Sequence, residues 1–130
     1  MALGELIFER LTTYPATAAL IATRCYPVLL PQEPTLPAVT YDVRNSNTNE
    51  GQVFFTQVVV QVNCWAVTYA GVVPVSEAVK AALRQYTKKE GTPPALISMN
   101  DENEADLYDP ETGLHGRSVE FMAWVVEASP

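Results

Sequence analysis

The stretch from Val53 to Val67, VFFTQVVVQVNCWAV, constrains the fold of this chain more than any other. Val58, Val60, Val62, Cys64 and Ala66 fall on one side of a period-two pattern, with Gln57, Val59, Gln61, Asn63 and Trp65 on the other. That is the alternation of a half-buried strand. At helical period the same residues scatter apolar and amide groups over every face, and their β-branched content works against a helix. A long central strand is predicted. Its second face is mixed, because Val59 and Trp65 sit among the amides, so something other than water is expected to cover part of it.

The flanking sequence supplies partners for both faces. Leu3, Leu6, Ile7 and Leu11 recur at helical spacing and predict an amphipathic helix from about Ala2 to Thr12. A second short helix is expected over Ala16 to Ala22, after Pro15. Arg24 to Pro27 reads as a brief strand or turn, and the prolines between Pro27 and Pro37 impose an extended connector. Pro37 to Arg44 alternates Val39, Tyr41 and Val43 with Thr40, Asp42 and Arg44, a strand with one solvated side. The polar run Asn45 to Gln52 has no apolar anchor and reads as a mobile hairpin loop, with Asn45, Asn47, Asn49 and Gln52 as candidate partner-docking residues.

After a turn over Thr68 to Gly71, the residues Val75, Val79, Ala82, Leu83 and Tyr86 predict a helix from about Val72 to Thr87. Lys80, Arg84 and Lys88 form a stripe on its other face, either solvated or salt-bridged to a neighbouring acidic chain. A short strand is expected at Ala95 to Met99, an acidic connection at Asn100 to Asp106, and a turn at Asp109 to Gly113. From Leu114 to Glu127 a long strand turns Val119, Phe121, Ala123 and Val125 one way and Glu120, Met122, Trp124 and Val126 the other. Hairpins without strict βαβ alternation predict an α+β fold, an antiparallel sheet with helices packed on one face. Val59, Trp65, Met122, Trp124 and Val126 then share the other face. Several apolar residues on one sheet face suggest a protein contact.

At 130 residues the chain is expected to form a single domain, spanning 1–130. Fifteen acidic against eight basic residues give a formal charge of -7, which disfavours nucleic acid or an anionic membrane as a direct partner yet suits a conduit to which DNA does not adhere. Cys25 and Cys64 lack metal-ligand spacing and read as free, buried thiols of a reducing cytoplasm. No apolar run reaches membrane-spanning length, and Glu5 and Glu9 stand where a signal peptide would be basic. A soluble, unprocessed chain without cofactor or metal is the expectation.

Candidate chemistry is sparse. The one histidine, His115, could be combined with Ser118 and Asp109, but on a hairpin lacking a nucleophile elbow and a glycine-rich oxyanion segment. Asp101, Glu102, Glu104, Asp106, Asp109 and Glu111 form the densest charge cluster. It fails the calcium-loop pattern, since Ala105 and Asp106 stand where the third ligand and the glycine belong. A solvated acidic loop, a docking surface and a metal site are the readings of that cluster, and no catalytic machinery is visible.

The succession LIFERLTTYPATAALIATRCYP, LPQEPTLPAVTY, VVVQVNCWAVTYAGV, SEAVKAALRQY and DLYDPETGLHGRSVEFMAW resembles the tail completion proteins, or tail terminators, of long-tailed bacteriophages, from about Leu3 to Trp124. Arg24, Tyr26 and Pro27, the segment Leu36 to Ala38, and the strand ending at Trp65 before Tyr69 carry the likeness. Pro74 departs from it, and the helix is expected to begin later, with Pro74 in its first turn. The resemblance implies a structural virion protein, not an enzyme, assembled in the host cytoplasm. It would form a homohexameric ring on the head-proximal end of the tail tube, ending tube polymerisation and joining the head. Its partners would be further copies of itself, the tail tube protein and a head-completion or connector protein, with DNA only as passing cargo and no membrane. The rivals are a head-completion adaptor and, from another class, a small ligand-binding module or enzyme. Replacing Trp65 or Trp124 with alanine is expected to weaken ring assembly more than folding.

Overall fold

The computed structural model describes residues 3–45, 55–84, 86 and 95–126. Two helices, α1 (Leu3–Thr13) and α2 (Pro15–Ile21), precede a three-residue strand β1 (Cys25–Pro27) and the longer β2 (Ala38–Asn45). Then come β3 (Phe55–Ala66), α3 (Tyr69–Leu83), β4 (Ala95–Asp109) and β5 (Leu114–Val126). The five strands form one sheet in the order β1-β2-β3-β5-β4. All pairings are antiparallel except β1 with β2, which run parallel. The sheet is therefore mixed at one edge, where an antiparallel one was expected. β3 is its middle strand, as its alternation requires.

All three helices pack on one face. Leu6, Ile7 and Leu11 of α1, Ile21 of α2, and Val72, Val75, Val79, Ala82 and Leu83 of α3 are buried against Val39, Val58, Val60, Val62, Val119, Phe121 and Ala123. Burying each large apolar side chain here contributes about 1.5–3 kcal/mol. Polar side chains fix the helices to one another. Thr17 in α2 donates its hydroxyl to the Leu11 carbonyl at 2.6 Å. Arg10 in α1 donates to the Ala82 carbonyl at 2.7 Å, near the end of α3, while its guanidinium lies 4.6 Å from the rings of both Tyr14 and Tyr86. Arg24 donates to the carbonyls of Pro37 and Leu20, tying α2 to the start of β2.

Two elements depart from the sequence reading. α3 starts at Tyr69, not Val72, because the Thr68 hydroxyl accepts from the Gly71 amide and caps the helix. Pro74 lies inside the helix, and not in its first turn. The helix also ends at Leu83, four residues short of Thr87. Second, the acidic connection expected at Asn100 to Asp106 is strand: β4 runs unbroken in sequence from Ala95 to Asp109, with register shifts between Leu96 and Ser98 and between Asp101 and Asn103. The carboxylates are held there by cations. Arg84 makes two 2.9 Å bonds to Asp101, and Lys80 approaches Glu104 at 3.2 Å. Arg117 in β5 donates to Asp106 at 2.9 Å, to the Tyr69 phenol at 2.8 Å and to the Ser76 hydroxyl at 3.2 Å. The expected stripe on α3 therefore pairs with β4 of its own chain through Lys80 and Arg84. Lys88 and most of the Asn45 to Gln52 run, including Asn47, Asn49 and Gln52, lie outside the described residues.

Candidate functional site

The face of the sheet opposite the helices carries the candidate site. Strand register sorts its residues into rows. At one end Trp124 of β5 pairs with Gln57 of β3. The next row runs Arg44, Val59, Met122, Asn100, and the one after it Asp42, Gln61, Glu120, Asn103. Thr40, Asn63, Ser118 and Ala105 follow, then Ala38, Trp65, Gly116 and Leu107. The face thus runs from apolar, through charged and small polar, to a second aromatic end.

Each row is held by short-range physics. Arg44 donates to Gln61 and lies 3.4 Å from Glu120 and 3.8 Å from Asp42, while Gln61 donates to Asn63 at 3.2 Å. Trp65 donates its indole N–H to the Thr40 hydroxyl at 3.2 Å, diagonally across β2 and β3. Its ring fills the space over Gly116, the position where a side chain would collide with it.

Beyond Trp65 the surface becomes concave. After β1 the chain makes a three-residue turn in which the Leu29 amide donates to the Pro27 carbonyl at 2.7 Å, with Val28 at φ 66. Positive φ on a β-branched residue is costly. The Val28 amide donates to the Tyr41 carbonyl at 2.9 Å and anchors the turn to β2. Residues 28–34 then run beside the open face and, with Thr40, Asn63, Trp65, Leu114 and the β4–β5 turn, enclose a groove of about 440 Å³. Val28 and Leu29 remain 62% and 76% exposed on its wall. Two carboxylates, Glu33 and Asp109, also line it, and among the described residues no lysine or arginine does. The connector is the covering that the mixed face of β3 called for at this end.

Of the five residues expected to share an interface, the structure brings Val59, Met122 and Trp124 together at one end. Trp65 stands at the other end, eight positions away along β5, about 26 Å at the rise of a strand. Val126 pairs with Phe55 beyond Trp124, and its side chain lies outside the description. Asn45 closes β2 opposite Val58. The groove-forming connector was missed as part of the site. Its signal was the apolar Val28-Leu29-Leu30 run inside a proline-bounded segment.

The hydrolytic arrangement is absent. His115 pairs with Ala66 and Ser118 with Asn63, on opposite faces of β5, and the imidazole lies 4.9 Å from the Tyr108 ring. Among the described residues no group of three or more His, Cys, Asp or Glu side chains could hold a metal ion. Both cysteines are free and buried, and burial pushes each thiol up to about 12. They flank Val39 in register from either side, two strand spacings or about 9.5 Å apart, too far for a disulfide. No helix among the described residues is long and apolar enough to cross a membrane.

No curated protein matches the chain in sequence. A chain from a solved structure of the virion of a native gene transfer agent particle is similar in fold, with a TM-score of 0.82 at 16% identity over 96% of this chain and 95% of that one. The family model for tail completion protein gp17 matches residues 5–126, which spans every element described above except the first two residues of α1. The chain belongs to the tail completion protein gp17 family, and with it to the structural proteins of the virion tail.

Proposed function

We propose that this protein forms a hexameric ring on the head-proximal end of a completed tail tube, where it ends tube polymerisation and presents the surface to which the head docks. The observation that carries this reading is the family match from residue 5 to residue 126, joined to a fold shared over nearly its whole length with a subunit of a phage-like virion. The tube protein lies on one side of such a ring and a head-completion or connector protein on the other. DNA crosses the ring only as cargo. A formal charge of -7 per subunit supports that passage, since a wall with excess carboxylate repels phosphate and does not arrest it. The apolar ends of the open sheet face supply side chains for contacts between protein subunits.

Electron microscopy of lysates from which the gene has been deleted tests the proposal. Overlong or uncapped tails beside filled heads are expected. Tails of normal length, capped but detached from heads that leak DNA, would move the protein to the head side as an adaptor.

A further inference from the structure

The groove beside Trp65 has a wall fixed by the backbone, an apolar lining and charge of one sign. Val28 at φ 66 and Glu33 at φ 51 are both left-handed without being glycine. Each such residue costs free energy and persists only where its surroundings hold it. The Val28 amide, bonded to the Tyr41 carbonyl, holds one end of the wall. Val28 and Leu29 therefore stay exposed along a cavity of about 440 Å³. Thr40 and Asn63 bring a hydroxyl and an amide to it from β2 and β3. Glu33, from the connector, and Asp109, from the end of β4, are the only charged groups among its described lining residues. Neither carboxylate forms an ion pair among the described residues.

We propose that this groove holds an extended segment of a different virion protein, in which an apolar side chain is flanked by lysine. The inference rests on the reading of this protein as a joint between virion proteins, and it names the chemistry of one partner. Charge complementarity selects the occupant: carboxylates repel nucleic acid and anionic lipid and attract a cation. Lysine suits the site because its four-carbon stem lies along the Val28 and Leu29 wall while the ammonium reaches a carboxylate. The Thr40 hydroxyl and the Asn63 amide can bond the backbone of the segment. A second copy of this chain is a poor source of the cation. Of its eight lysines and arginines, the six within the described residues are all engaged in their own chain: Arg10 and Arg24 on carbonyls, Arg44, Lys80, Arg84 and Arg117 on carboxylates. Two copies at a formal charge of -7 also repel each other.

Titration of the full chain, labelled with nitrogen-15, tests the chemistry. The chain has two tryptophans, and Trp124→Phe assigns the indole N–H resonance of Trp65. A capped Lys-Val-Leu-Lys peptide is expected to shift that resonance saturably, and a Glu-Val-Leu-Glu peptide to leave it in place. In the double variant Glu33→Gln, Asp109→Asn the dissociation constant should rise about five- to tenfold. Asparagine at 109 keeps an oxygen for the Glu111 amide that bonds there, so the turn is retained. No saturable shift, equal shifts with both peptides, or an unchanged constant in the double variant overturns the proposal. Carbodiimide coupling in purified particles then identifies the source, since it joins a carboxylate to a lysine in contact with it. Glu33 or Asp109 linked to a lysine of a different virion protein is expected. No link at either carboxylate, or a link to Lys88 or Lys89 of a second copy, overturns it. Neither readout depends on tail length, so failure here leaves the terminator reading to the deletion lysate, and failure of that reading leaves the groove's peptide binding measurable.

Discussion

The ring of Trp65 covers Gly116 so closely that a methyl group at position 116 would lie 2.8 Å from Cζ3 and 2.9 Å from Cε3 of the indole. Gly116→Ala must displace the ring from the Thr40 hydroxyl to which it donates. Overpacking of this kind costs about 1–3 kcal/mol, measurable as a lower midpoint in urea with a shifted tryptophan emission. An unchanged midpoint would show that the ring moves freely. Trp65→Ala accordingly lowers stability as well as any association, whereas Trp124→Ala, at a 40% exposed position, changes stability by about 1 kcal/mol or less. The two tryptophans separate in a urea titration, although the sequence alone gave them equivalent roles.

Arg117 and Arg84 both pair with β4, but in different surroundings. The side chain of Arg117 is 14% exposed, and that of Arg84 50%. Arg117→Met removes bonds to Asp106, Tyr69 and Ser76 at once, and a cost of about 1–3 kcal/mol is expected. Arg84→Ala should cost far less, because its pair with Asp101 is screened by solvent and salt. Equal losses in thermal unfolding would contradict this ranking.

The same strip sets a pH response. The guanidinium of Arg84 holds the Asp101 carboxyl below its ordinary value of 3.8, chiefly through its hydrogen bonds. Lys80, bonded to Glu77, holds that carboxyl below 4.5. Both folded-state values are depressed, so their contribution is fully present above about pH 4.5 and is lost as pH falls through the lower folded values. Lys80 itself is raised above 10.5 by its bond to Glu77, so its contribution is present below that pH and disappears only as pH rises further. Stability from these pairs should be level from about pH 5 to 9 and decline in acid. In the double variant Arg84→Ala, Lys80→Ala the decline below pH 4.5 should be shallower, as followed by thermal melts. An unchanged slope would place the acid sensitivity elsewhere.

Pro74 is the sixth residue of α3, where it supplies no amide for the Ala70 carbonyl and crowds that carbonyl with its ring. Its side chain is exposed, so replacement removes little packing. Pro74→Ala should raise stability by about 1–2 kcal/mol, after allowing for the freer unfolded chain. A fall in the melting temperature would mean that Pro74 itself holds α3 in place on the sheet.

The alternation in β2, β3 and β5 was legible because a half-buried strand writes its two faces directly into the sequence. The apolar stripe of α3 was legible for the same reason. Its true start was not, because the cap depends on the Thr68 hydroxyl reaching one amide at Gly71, and Pro74 pointed to a later beginning. The acidic half of β4 read as a loop, since Asn, Asp and Glu have low strand propensity. It is strand because β5 pairs with it and because Lys80, Arg84 and Arg117 lie opposite its carboxylates. Neither partner is local in sequence. The apolar character of the open face was visible, but its division into two ends was not, because only register shows that Trp65 and Trp124 lie at opposite ends of β5.

The sheet's edges limit how such a chain can aggregate. β1 is three residues long, ends in Pro27 and gives way to the strained turn at Val28. β4, at the far edge, is bent by two register shifts and studded with carboxylates. Neither edge offers a flat, neutral row of amides on which another strand could grow. A strand of a second chain therefore finds no even backbone ladder to extend at either edge, and the sheet stops where its own sequence stops it.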